Sequence, residues 1–177
     1  MKARYVVDTN VLIAASAADP IHPKDIDATP ADPGLRKVIW EWLYAFEQDP
    51  SRMGLDLAGR IYDEYINNRN LDFNAYGIQV VMHKWSTAAV DGVEVVYDND
   101  GHGVLPATLA SVVHDLADRK MVAAALAAHE AFGEGCIAFA GDTDWHDWEG
   151  ALTAHQVELE PIIEAWSRQK HAEKRHR

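Results

Sequence analysis

Short apolar runs alternate along the chain with longer stretches in which apolar residues recur at helical spacing. "RYVVD" (Arg4–Asp8) is continuous and β-branched, as a strand covered on both faces should be. The apolar run "VLIAASA" follows at once as a helix, with Asn10 placed to cap it. "LRKVIWEWLYAFEQ" (Leu35–Gln48) has the helical period and stops before Asp49-Pro50. "RMGLDLAGRIYDEYINNR" reads as a short strand, then a helix over 58–69, and a further helix is predicted over 73–85. "GVEVVYD" (Gly92–Asp98) reads as a strand and "NDGHGVLPAT" as a loop. "HDLADRKMVAAALAAHEAF" (His114–Phe132) reads as a long alanine-rich helix. "GCIAFAGD" (Gly135–Asp142) and "VELEP" (Val157–Pro161) are the remaining strands, with Pro161 suited to the first turn of a closing helix.

Strands separated by helices of this length imply right-handed βαβ crossovers. The predicted fold is therefore α/β, three-layered α/β/α, with a mostly parallel central sheet. The 177 residues are expected to form a single domain over 1–165, interrupted by a surface loop at 19–34 that carries four prolines. Residues 166–177, "WSRQKHAEKRHR", form a basic C-terminal tail.

Composition narrows the class. The 48% hydrophobic and 25% charged fractions are those of an ordinary globular protein. No run approaches the roughly 18 apolar residues that span a bilayer, so no membrane partner is expected. The N-terminal apolar run is too short for a signal peptide. The single cysteine, Cys136, excludes an internal disulfide, reads as a buried thiol in "CIAFA" and suits a reducing, cytoplasmic setting. The net charge of −12 makes nucleic-acid binding no default, because an acidic surface repels phosphate. The charge is uneven: the tail concentrates Arg168, Lys170, Lys174, Arg175 and Arg177 against Glu173 alone. It reads either as a solvated, frayed helix end or as a contact for RNA or an acidic partner.

The acids carry the candidate chemistry. In an open parallel sheet, ligands bind beyond the carboxyl ends of the strands. Asp8 ends one predicted strand and Asp142 another, with Asp144 two residues on. Carboxylates gathered on one edge raise one another's pKa unless a cation neutralises them. A hard divalent ion, Mg²⁺ or Mn²⁺, prefers such oxygen ligands. Asp63 and Glu64 in "IYDEYI", and Asp115 and Asp118 in "HDLADRK", supply further acids. Each alone reads as a solvated helix face or cap; their ordered combination is what points to a metal.

"YVVDTNVLIAA" resembles the opening of the PIN-domain nucleases, whose first strand ends in Asp-Thr-Asn or a close variant. "IYDEY" resembles that family's second acidic motif and picks out Glu64, with Asp63 as the competing choice. "ADRKMVAAALAA" resembles the third and picks out Asp118. "CIAFAGDTDW" resembles the fourth, Gly-Asp-x-Asp-aromatic, and picks out Asp142 and Asp144 without choosing between them. "VELEPIIEAW" is similar to the family's last strand and Pro-led helix, so the resemblance spans essentially the whole chain. The 19–34 loop departs from it by lengthening the gap between the first and second motifs.

The resemblance implies a PIN-like fold, related to that of the flap nucleases, and a Mg²⁺- or Mn²⁺-dependent endoribonuclease. Its catalytic residues would be Asp8, Glu64, Asp118 and Asp142. The metal would be held by these together with Asp144, and Thr9 or Asn10 would orient Asp8 or touch the scissile phosphate. It implies an RNA substrate, a homodimer and, for the bacterial toxin branch, an antitoxin partner. Metal-activated water would leave a 5′-phosphate and a 3′-hydroxyl. The competing class is a catalytically silent PIN-like protein-interaction module, and a third is a small-molecule α/β domain using the same cation. Other patterns carry less. "YDNDGHG" lacks the spacing of a calcium loop, and the nine histidines lack zinc-site spacing. Trp40, Trp42 and Trp85 read as core or dimer surface. Trp145 and Trp148 stand beside the acidic motif and read as packing residues.

Overall fold

The computed structural model describes residues 1–176, so Arg177 of the basic tail lies outside the described residues. Five strands form one sheet: β1 (Arg4–Val7), β2 (Arg52–Asp56), β3 (Val90–Val93), β4 (Cys136–Phe139) and β5 (Glu158–Pro161). All pairings are parallel, in the order β3-β2-β1-β4-β5. Eight helices are present among the described residues: α1 (Thr9–Ala17), α2 (Pro33–Gln48), α3 (Arg60–Asn67), α4 (Tyr76–Ser86), α5 (Ala107–Ala110), α6 (Arg119–Phe132), α7 (Trp145–Ala154) and α8 (Glu164–Arg175). The α/β/α, mostly parallel architecture expected from the sequence is the one observed. No helix among the described residues is long and apolar enough to cross a membrane.

The chain winds from β1 outward to β2 and β3, then returns to β4 and β5 on the other side of β1. Right-handed crossovers in opposite directions put helices on both faces. α1, α2 and α4 pack on one another in one layer, while α6 crosses β1 to β4 in the other. The central strands β1 and β4 are wholly buried, which accounts for their unbroken apolar sequences; the edge strands β3 and β5 are only partly covered. Tyr5 of β1 meets Trp42 and Phe46 edge-on at 5.2 and 5.7 Å, fastening α2 to the sheet. Cys136 is a buried free thiol, as expected.

Several element boundaries differ from the sequence expectation, each for a physical reason. Asp8, not Asn10, is the N-cap of α1: its extended backbone (φ −62°, ψ 137°) lets its side chain accept from the N–H of Asn10. The third strand occupies Val90–Val93 instead of Gly92–Asp98. Its partner β2 ends at Asp56 and turns into α3 through Gly59 (φ 77°), leaving residues 94–98 no neighbour to pair with. They fold back instead, with Val104 N–H on Val96 C=O and Asp98 N–H on His102 C=O. α6 starts at Arg119, not His114, because Asp115 takes the N–H of Ala117 in a local turn that competes with helix. Pro161 ends edge strand β5, and the closing helix begins only at Glu164. α5 and α7 are additional helices. The basic segment is not frayed through Arg175, because it forms α8.

The layer of α1, α2 and α4 depends on one glycine. A Cβ at Gly77 would lie 2.7 Å from both the Cβ and the carbonyl oxygen of Leu12, and the Gly77 N–H donates to Ser16 Oγ at 2.9 Å. Backbone-to-backbone approach at this point admits no methyl. Gly77→Ala is therefore expected to lower the unfolding free energy by about 1–3 kcal/mol, the usual cost of overpacking, in urea titration. An unchanged midpoint would contradict this packing.

Candidate functional site

The sheet order reverses between β1 and β4, so a crevice opens above their carboxyl ends. Asp8 follows β1 directly, and its backbone N–H still pairs with Ala138 C=O of β4. Its side chain is buried (4% exposed), with one oxygen accepting from Asn10 N–H at 3.2 Å and the other from Trp145 Nε1–H at 3.2 Å. β4 ends at Phe139, so Asp142 stands in the loop beyond the strand and not at its last position. One of its oxygens accepts from the Asp144 N–H at 2.9 Å.

Asp118 occupies the N-cap position of α6, yet its side chain makes no capping hydrogen bond. Its Oδ2 is buried and has no hydrogen-bond partner among the described residues. A carboxylate in that position ordinarily takes an N–H of the first turn. Here the backbone sits in the helical region (φ −79°, ψ −15°), and the oxygen is left to the crevice.

Electrostatics shows which acids share the crevice. Burial, and then the charges of Asp142 and Glu64, push Asp8 up to about 7 despite its two hydrogen bonds. Burial, and then the charges of Asp8 and Asp142, push Asp118 up to about 8. Asp142 is also raised, mainly by burial, against the pull of the Asp144 N–H and the Lys174 ammonium. Asp8, Asp118 and Asp142 thus lie within reach of one another's charge, and that of Glu64 adds to it, although their carboxylate oxygens do not all come within 4.8 Å of one another.

Glu64 is half-buried on α3 and its charge reaches Asp8 and Asp118, whereas Asp63 is exposed. Its carboxylate is gripped from two sides, by the Thr9 hydroxyl and by Lys120 Nζ at 2.5 Å. The Thr9 hydroxyl is thus spent on Glu64, with no hydrogen bond to Asp8 among the described residues. Asn10 does hold Asp8, but through its backbone N–H and not its side-chain amide. Asp144 turns outward and pairs with Lys174 of α8. Of the two, Asp142 is the one whose charge reaches Asp8 and Asp118.

Sequence reading missed three participants. Trp145 and Trp148 are fully buried, as expected of packing residues, but Trp145 also donates to Asp8. Its place as the first residue of the helix after "GDTD" was the available signal. Lys120 and Lys174 carried no local signal, since their acid partners are 56 and 30 residues away in sequence.

No family model, curated protein or solved structure matches this chain. The site must therefore be read from its own chemistry. An orphaned buried carboxylate oxygen of Asp118, with buried Asp8 and half-buried Asp142 near enough to feel its charge, fits a hard divalent cation, because such an ion would offset the cost of ionising acids whose carboxyls are pushed upward. Among the described residues, only Asp98, Asp100 and His102 bring three ligand atoms within 4.8 Å of one another. That trio lies on a solvent-facing turn, where Asp98 accepts the N–H groups of Asp100 and His102. It is an Asx-type turn without an unsatisfied buried atom. Of the nearby histidines, His146 is joined to Ser167 Oγ at 2.9 Å, and His114 lies edge-on to Trp148.

The pKa shifts fix a pH dependence. Free carboxyls ionise near pH 4, while folded Asp8 and Asp118 hold their protons up to about 7 and about 8. Between those values the folded state binds more protons than the unfolded one, so stability falls as pH rises. In metal-free buffer Asp118→Asn should melt a few degrees above wild type at pH 8 and level with it at pH 5. Thermal melts showing equal curves at both pH values would contradict the buried-acid account.

Proposed function

We propose that this chain is a PIN-like, Mg²⁺- or Mn²⁺-dependent endoribonuclease. The single observation that carries the reading is the buried, unpartnered Asp118 Oδ2 set against the raised carboxyls of Asp8 and Asp142. The ordered acidic motifs of the sequence, on an α/β fold with its crevice at the sheet's switch point, support it further.

On this reading Asp8, Asp118 and Asp142 hold the cation directly, and Glu64 does so directly or through water. The bound ion supplies a water of lowered pKa and positive charge against the phosphate under attack. The chain's own groups set up that site. Trp145 Nε1–H and the Asn10 N–H pin the Asp8 carboxylate from opposite sides, so its orientation precedes ligand binding. The Thr9 hydroxyl and Lys120 hold Glu64 in place. Trp145 is itself held by an edge-on contact with buried Trp148, their ring centroids 5.2 Å apart. No serine, cysteine or histidine nucleophile is needed.

The finer proposals follow from the resemblance: RNA as substrate, a homodimer, the cytoplasm, and a toxin whose antitoxin partner covers the site. A Mn²⁺-dependent cleavage assay on a mixed RNA set tests the core of the reading. Asp8→Asn should slow cleavage by about 100-fold or more, since even a residue acting behind a metal ligand is worth roughly 10–100-fold. Products should carry 5′-phosphate ends. Equal cleavage by variant and wild type would overturn the assignment.

A further inference from the structure

Three basic residues of α8, Arg168, His171 and Lys174, meet the acids of α7 and of the loop before it in an antiparallel ladder. Arg168 makes a forked contact with Glu149 at 3.1 and 3.0 Å. One turn on, His171 Nε2 lies 2.7 Å from Asp147 Oδ1. One turn further, Lys174 reaches Asp144. The spacing 168, 171, 174 lies on one helix face, and its partners descend as 149, 147, 144. At the foot of the ladder Ser167, fully buried, is joined to His146 at 2.9 Å, which locks the start of α8 to α7.

The ladder ends at the acid site. Asp144 carries the backbone N–H that binds Asp142, and the field of Lys174 reaches Asp142 as well. Two lysines thus stand among the acids, and they differ. Lys120 is 14% exposed and also bonded to Ala117 C=O, so it is part of the wall. Lys174 is 59% exposed at the loose end of a helix, held by a partner that is itself 25% exposed. Such a contact is weak and reversible.

We propose that α8 is an electrostatic strap whose Lys174 serves as the acid site's own counter-ion, yielding its place when a divalent cation enters. The proposal rests on the metal-site reading above and adds its regulation: the strap sets how much cation is needed to load the site. A protein or anion that draws α8 away would lower that threshold.

Isothermal titration of the full chain with MnCl₂ tests this. Lys174→Met should bind Mn²⁺ about three- to fivefold more tightly than wild type, the scale of one exposed ion pair. Lys174→Arg, which keeps the charge, and Lys170→Met, which alters a lysine paired with Glu173 off the ladder, should match wild type. The gap should close as salt is raised. A Lys174→Met affinity equal to or weaker than wild type overturns the strap and leaves the metal site standing. Absence of Mn²⁺ binding by both wild type and Lys174→Met overturns the metal site and the strap together.

Discussion

Carboxylates repel one another, and a buried one loses its hydration; the crevice between β1 and β4 imposes both costs at once. Asp8 is almost wholly enclosed, and its only compensation is one backbone N–H and one indole N–H. Asp118 has less, since its inner oxygen has no hydrogen-bond partner among the described residues. A chain that only needed to fold would cap α6 with that side chain, or replace it with an apolar one. The arrangement makes sense when something positive completes it. Among the described residues the protein supplies two partial answers, Lys120 on Glu64 and Lys174 on Asp144, and neither makes an ion pair with the three central acids themselves.

The surrounding fold keeps that strained centre rigid. β1 and β4 are buried on both faces and paired in register, Val6 with Ile137 and Val7 with Ala138, so Asp8 is fixed relative to the loop that carries Asp142. Tyr65 of α3 donates its hydroxyl to Val7 C=O, tying the helix that bears Glu64 to the end of β1. At the far end of the sheet Arg4 and Arg52 share Asp91 at 2.6 and 2.7 Å, which locks the three strands β1, β2 and β3 away from the site. Buried acid at one end and satisfied ion pairs at the other leave the stored electrostatic cost at the crevice.

How much of this was legible depends on how local each signal is. β1 and β4 read clearly because a short, unbroken apolar run bounded by polar residues suits a strand covered on both faces, and the acids beyond them followed. The choice of Glu64 over Asp63 needed the helix phase of α3, which a boundary error of two residues obscures. β3 was misplaced because an edge strand with Asp91 and Gly92 in it lacks an apolar signature, while the more apolar residues 93–97 lie largely beyond the end of β2. α6 was overextended because "HDLA" has ordinary helical composition, and only the Asp115 turn breaks it. The hydrogen bond from Trp145 and the lysine counter-ions are products of tertiary proximity, which no spacing along the chain encodes.

The central claim is that Asp8, Asp118 and Asp142 form a vessel for one cation. Anomalous diffraction from crystals grown with Mn²⁺ at neutral pH measures this directly. The account predicts a manganese peak about 2.1 Å from carboxylate oxygens of all three, with Asp118 Oδ2 among them. A peak at the Asp98–Asp100–His102 turn, with none between Asp8, Asp118 and Asp142, would contradict it.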